Sequence, residues 1–202
     1  MVKAVPTEGG DKVKKHFERL CLLLLIFFVY SCASQPVTPP EWRYEKEAIE
    51  LQVKADSQLN LYEGMPHTLL ICVYQLKAPN AFNQLTEDDD GLYKLLECSR
   101  FDASVASSKR LVIPTGQDLT FTLDRAEGGK YVAIVAGYYL LQKEGMVRLF
   151  DVPVVVEKKG WIKRTMIAKP GPLSIEVTLG PQGIQKAGET VPSAPPSGNR
   201  GP

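Results

Sequence analysis

Between residues 48 and 180 the chain is written mostly in a period of two. "ELQVKAD" sets Leu51, Val53 and Ala55 on one side and polar residues on the other; "LTFTLD" does the same with Leu119, Phe121 and Leu123, and "LSIEVTLG" with Leu173, Ile175, Val177 and Leu179. Strict alternation is the mark of a strand with one buried and one wet face. Three further runs, "LLICVYQL" at 69–76, "YVAIVAGYYL" at 131–140 and "RLFDVPVVV" at 148–156, are apolar on both sides and read as strands covered on both faces. "RLVIP" and "WIKRTMI" bring the number to about eight. Turn clusters such as "PTGQD", "EGGK" and "EKKG" separate them, a spacing that predicts an antiparallel β-sandwich. Pro153 has no N–H to give a ladder, so it belongs at an edge or a bulge.

One segment leaves this period. From Pro79 to Val105, Leu92, Leu95 and Leu96 recur at helical spacing behind a run of aspartates, which suits the positive end of a helix dipole. A helical insertion over about 79–105 is expected. After Gly180 the chain is rich in Gly, Pro and Ser without apolar periodicity, so 181–202 reads as a disordered tail.

The N-terminus is organised differently. Lys12, Lys14, Lys15 and Arg19 precede an apolar run from Leu20 to Tyr30, well short of the ~20 residues needed to cross a bilayer. It ends in Val29, Tyr30, Ser31 and Cys32, the order of a lipoprotein signal, in which a small residue precedes a cysteine that is acylated and then becomes the first residue. The expectation is a signal peptide over 1–31, a lipid on Cys32, a Pro-rich tether over 32–47 and a folded domain over 48–180. One acyl chain holds a protein to a membrane only marginally, so stable anchoring needs several. Losing residues 1–31 removes five basic and three acidic side chains and leaves a net charge of about −1, too little to add electrostatic attachment. Ala33 and Ser34 follow Cys32 with no Asp at the next position, and resemblance to proteobacterial lipoproteins then implies the outer membrane and a periplasm-facing domain.

Charge and motifs narrow the chemistry. The formal charge of the whole chain is +1 and no basic cluster interleaved with aromatics lies beyond the first twenty residues, so nucleic acid is set aside as a partner. No nucleophile elbow, phosphate loop, dinucleotide fingerprint or zinc-protease motif occurs, and His67 would be the one histidine left after cleavage. The chain reads as a non-enzyme without a cofactor. "TEDDDGLYKLLE" matches a calcium loop at Asp88, Asp90, Gly91 and Glu97 but has Thr86 and Lys94 where oxygen ligands belong, so no metal site is expected. A small-ligand or calcium-binding lipoprotein is the rival reading.

Cys72 and Cys98 remain as a pair, either bonded in an oxidising periplasm or buried separately. The connection "DSQLNLYEGMPH" at 56–67 carries Leu59, Leu61, Tyr62 and Met65, more apolar surface than a turn requires. Those side chains either anchor a partner or fold back over the sandwich.

"VYQLKAPNAFNQL" at 73–85, "DGLYKLLE", "SVASSKRLVIPTGQDLTFTLD" and "KYVAIVAGYY" resemble the outer-membrane lipoprotein of the type VI secretion system, the TssJ family. The resemblance covers about residues 48–180 and implies a transthyretin-like sandwich of two four-stranded sheets with a small helical insertion. It also implies a scaffold that anchors the secretion complex by binding the periplasmic C-terminal region of the TssM or IcmF-like inner-membrane protein. The family's contact loop corresponds here to 56–67, which assigns Asp56, Leu59, Asn60, Leu61, Tyr62, Glu63, Met65 and His67 to the partner.

Overall fold

The computed structural model describes residues 37–159 and 165–190. Cys32, the segment expected to be a signal peptide and the last residues of the tail lie outside them. The described residues from Thr38 onward form one unit.

Strand β1, Glu45–Ala55, turns Ile49, Leu51 and Val53 inward and Glu50, Gln52 and Lys54 outward, as its alternation requires. It lies between β4, Asp118–Arg125, which it pairs antiparallel, and β9, Leu173–Leu179, which it pairs in parallel with Leu51 opposite Ile175. A final strand, β10, Ile184–Thr190, closes the sheet in the order β10-β9-β1-β4. The second sheet, β3-β2-β5-β6, is built from β2 Leu69–Leu76, β3 Val105–Ile113, β5 Tyr131–Ala136 and β6 Val147–Asp151. A separate hairpin joins β7, Val154–Lys159, to β8, Thr165–Pro170.

Two of the runs that are apolar on both faces, β2 and β5, have a physical reason. Leu69, Ile71 and Val73 of β2 face the core between the sheets, while Cys72, Tyr74 and Leu76 face outward into a second cluster with Phe82 and Leu95. That outer cover comes from the insertion, as two short helices, α1 Asn80–Leu85 and α2 Asp89–Leu95. Cys72 and Cys98 are disulfide-bonded there, with Cα atoms 5.0 Å apart, tying β2 to the chain just past α2. The Tyr74 hydroxyl donates to Leu95 O at 2.6 Å, and burial pushes it up to about 12.

The acidic run now has a structural account. Asp88 caps α2, its carboxylate accepting the Gly91 N–H at 2.7 Å. Gly91 is glycine because a Cβ there would collide with the Leu85 carbonyl of α1.

Four expectations need correction. The sandwich is not wholly antiparallel, since β9 returns alongside β1 in the same direction. "RLFDVPVVV" is two strands in different sheets and is not covered on both faces, since Leu149 and Val154 to Val156 are exposed: Val152 is buried and Pro153 stops the ladder, after which the chain leaves the sandwich. Residues 184–190 are not disordered: they pair along the free edge of β9, with Ile184 buried and Ala187 against the core. The tether is shorter than expected, because Trp42 packs on the core and β1 begins at Glu45.

The incoming chain is held by polar ties. The Trp42 carbonyl accepts the Gly128 N–H at 2.7 Å, and the Lys130 ammonium sits 5.9 Å from the Trp42 ring centroid. The Tyr44 hydroxyl donates to Asp124 at 2.6 Å. Arg125, buried at the end of β4, pairs with Glu45 and donates to Gly171 O at 3.3 Å. Gln75 joins the two sheets here, donating to Asp124 O at 2.8 Å and accepting the Ala126 N–H at 2.6 Å.

Candidate functional site

The ties at Trp42, Tyr44, Gln75 and Arg125 form a collar, and the 56–67 connection leaves β1 at the opposite end, a strand of 11 residues away or about 35 Å. Main-chain hydrogen bonds fix its base. Asp56 N–H donates to Leu179 O at 2.9 Å, the Asp56 carbonyl accepts from Leu59 and Gly116, and the Asp56 carboxylate accepts the Gln58 N–H at 2.7 Å. Leu61 N–H donates to Pro181 O at 2.8 Å and His67 N–H to Leu59 O at 2.9 Å. The loop is thereby strapped to the β3–β4 and β9–β10 turns.

Composition could not say which of its apolar residues point outward; the fold divides them. Leu59 is fully buried in the core between the sheets and Leu61 is half-buried, so Leu59 supports the loop and offers a partner nothing. Asn60 is buried too, with φ of +50°, a left-handed conformation that Asn tolerates better than most residues. Its amide donates to Thr68 O at 3.2 Å and its carbonyl accepts the Tyr139 N–H at 3.1 Å.

The tip is a two-residue hairpin. Tyr62 and Met65 exchange both backbone hydrogen bonds, at 3.0 and 2.9 Å, around Glu63 and Gly64 with φ of +50° and +78°. Positive φ at both central positions is the type I′ requirement, which Gly64 meets without strain. Tyr62 and Met65 are 47% and 59% exposed, although both are large and apolar.

Tyr139, 54% exposed, stacks on Tyr62 with ring centroids 4.4 Å apart, and the His67 ring meets Tyr139 edge-on at 5.2 Å. Three rings from two separate segments therefore form one surface. Tyr139 is not among the residues that the loop's composition assigns to a partner, because it lies inside an apolar run that reads as a strand. The ladder in fact ends at Ala136, where Gly137 N–H donates to Leu70 O at 2.8 Å, and the chain turns outward. Gly137 was the one available signal. A groove of about 480 Å³ extends from this surface past Leu70 and Leu96 to Tyr93 of α2 and Val112 of β3. Tyr93 and Val112 are exposed as well.

Among the described residues no group of three or more His, Cys, Asp or Glu is placed to hold a metal. What the tip supplies is exposed aromatic and thioether surface on a rigid base, the kind of anchor that protein interfaces use. Cys32 lies outside the described residues.

Residues 47–179 match the family model described as type VI secretion lipoprotein, VasD, EvfM, TssJ. The lipoprotein TssJ1 of the Pseudomonas aeruginosa type VI system shares the fold with a TM-score of 0.53 at 19% identity, over 77% of this chain and 100% of that one. Serratia marcescens Lip, a membrane-bound component of the type VI secretion system, does so with a TM-score of 0.50 at 19% identity, over 76% and 100%. None of the curated proteins compared matches in sequence.

Proposed function

The chain belongs to the type VI secretion lipoprotein family, and on that premise we propose that it is a non-enzymatic scaffold, lipid-anchored through Cys32 in the outer membrane and facing the periplasm. Its partner is the periplasmic C-terminal region of the TssM or IcmF-like inner-membrane protein. The contact is made by the Tyr62–Met65 tip together with Tyr139. One observation carries this reading: large apolar side chains stand exposed on a hydrogen-bonded hairpin at the end of β1 far from where the tether enters. A solvent turn has no use for that arrangement, whereas an interface anchor needs both its apolar area and its fixed geometry.

The collar at the other end supports the same division of labour. It grips the chain arriving from Cys32 with buried and charge-assisted bonds, so that a pull on the lipid is passed to β1 and β4 rather than to the loop.

Fractionation of cells carrying the Cys32→Ser variant tests the anchoring. The variant should be folded, absent from the outer-membrane fraction and unable to support secretion. A variant that still fractionates with the outer membrane and supports secretion overturns the proposal.

A further inference from the structure

The β7–β8 hairpin stands apart from both sheets of the sandwich. Its base is clamped where the Gly171 N–H donates to Pro153 O at 2.7 Å. Alternation along β7 gives it two unlike faces. Val155 and Glu157, with Lys169 from β8, look into a hollow shared with Arg43 and Glu45 of the incoming chain. Val154, Val156 and Lys158 lie on the other face. Val154 and Val156 are 45% and 54% exposed, against 41% for Val155 on the first face, and Lys158 is exposed beyond them; their partners across the ladder, Pro170 and Ala168, are buried. Exposed aliphatic side chains along one face of a short strand form a surface that a water-facing edge normally avoids, while a lysine beside them is common there.

The position of this face relative to the lipid is bounded by the chain. Thr38 is hydrogen-bonded to β8, its N–H donating to Met166 O and its carbonyl accepting the Ala168 N–H, both at 3.1 Å. Only six peptide units separate Thr38 from Cys32. Fully extended they reach about 20 Å, the length of β7 itself. If Cys32 carries the lipid, no arrangement of those residues can hold the hairpin far from the membrane surface.

We propose that the Val154, Val156 and Lys158 face of β7 rests in the headgroup layer of the membrane in which Cys32 is anchored. The valines enter the acyl boundary while the Lys158 ammonium stays among the phosphates. The lipid and the hairpin then give two points of attachment at one end of the sandwich. Two points fix its tilt and aim the Tyr62 tip away from the bilayer. This inference rests on the reading that Cys32 is acylated.

The test uses the lipidated chain, disulfide intact, in vesicles of phosphatidylethanolamine and phosphatidylglycerol. A nitroxide is placed at Val156→Cys or, as the reference, at Tyr62→Cys. In the vesicles, collision with an aqueous nickel complex should fall severalfold at 156 and stay unchanged at 62, relative to the soluble Cys32→Ser chain. Hydrogen exchange of the β7 amides in the unlabelled chain should slow in parallel. A label at 156 as accessible as that at 62, in protein that floats with the vesicles, overturns the hairpin contact and leaves the anchoring intact. Protein that does not float overturns the anchoring, and the orientation with it. A label already shielded in the soluble chain, with a dimer mass, assigns the face to a second copy and likewise overturns the proposal.

Discussion

The two ends of the sandwich are held by different chemistry. At the collar, side chains do the holding: a buried guanidinium pairs with Glu45, Tyr44 bonds to Asp124, and Gln75 ties β2 to β4. At the loop, main chain does most of it, with Leu59 and Asn60 turned inward, so Tyr62 and Met65 are free to face out. An end that must not come loose spends its side chains on itself, and an end that must meet another protein keeps them available. The two ends should therefore respond differently to mutation: stability at one, affinity at the other.

The largest effect expected belongs to neither end and serves as a control. Replacing Cys72 and Cys98 by Ala removes a cross-link over 26 residues of sequence and should cost about 3 kcal/mol in denaturant unfolding. Affinity of the remaining folded protein for its partner should not change. Next comes the collar. Arg125→Met removes a buried cation, leaving Glu45 unpaired and Gly171 O without its donor, and should cost about 2 kcal/mol. The cost is held to that because the Glu45 carboxylate is itself half in water. Equal losses of affinity and stability in this variant would break the separation of the two ends.

The smallest effect is a pH dependence. The hydrogen bond from the Tyr44 hydroxyl, followed by the bond from the Glu47 N–H, holds the Asp124 carboxyl below its ordinary range. A depressed folded-state pKa contributes stability above the unfolded value and loses it as pH falls through the folded one. Unfolding midpoints measured from pH 7 down to pH 3 should thus fall, and Tyr44→Phe should flatten part of that fall. Identical slopes in the two proteins would remove this tie from the collar.

Much of the fold could be read from side-chain period, and the losses have physical causes. β1, β4 and β9 were legible because each alternates apolar with polar residues, and α2 because its leucines fall on one stripe behind Asp88. β10 was not, since only Ile184 and Ala187 touch the core and main-chain pairing with β9 holds the rest. Period does not reveal a strand's partner, so the parallel pairing of β1 with β9 was invisible. In the loop, composition placed apolar residues at the right positions but could not separate Leu59, which turns in, from Tyr62, which turns out. Tyr139 was lost because an apolar run looks the same whether it ends at Ala136 or at Leu140.

The claim that the loop end is the partner-binding end is tested most directly by one affinity. The periplasmic C-terminal region of the TssM-like protein is immobilised, and the chain is compared with its Tyr62→Ala, Met65→Ala double variant by surface plasmon resonance. The double variant should lose about 2 kcal/mol, or about 30-fold in Kd, with an unchanged unfolding midpoint. An affinity equal to that of the unsubstituted chain would contradict it and move the contact off the Tyr62–Met65 tip.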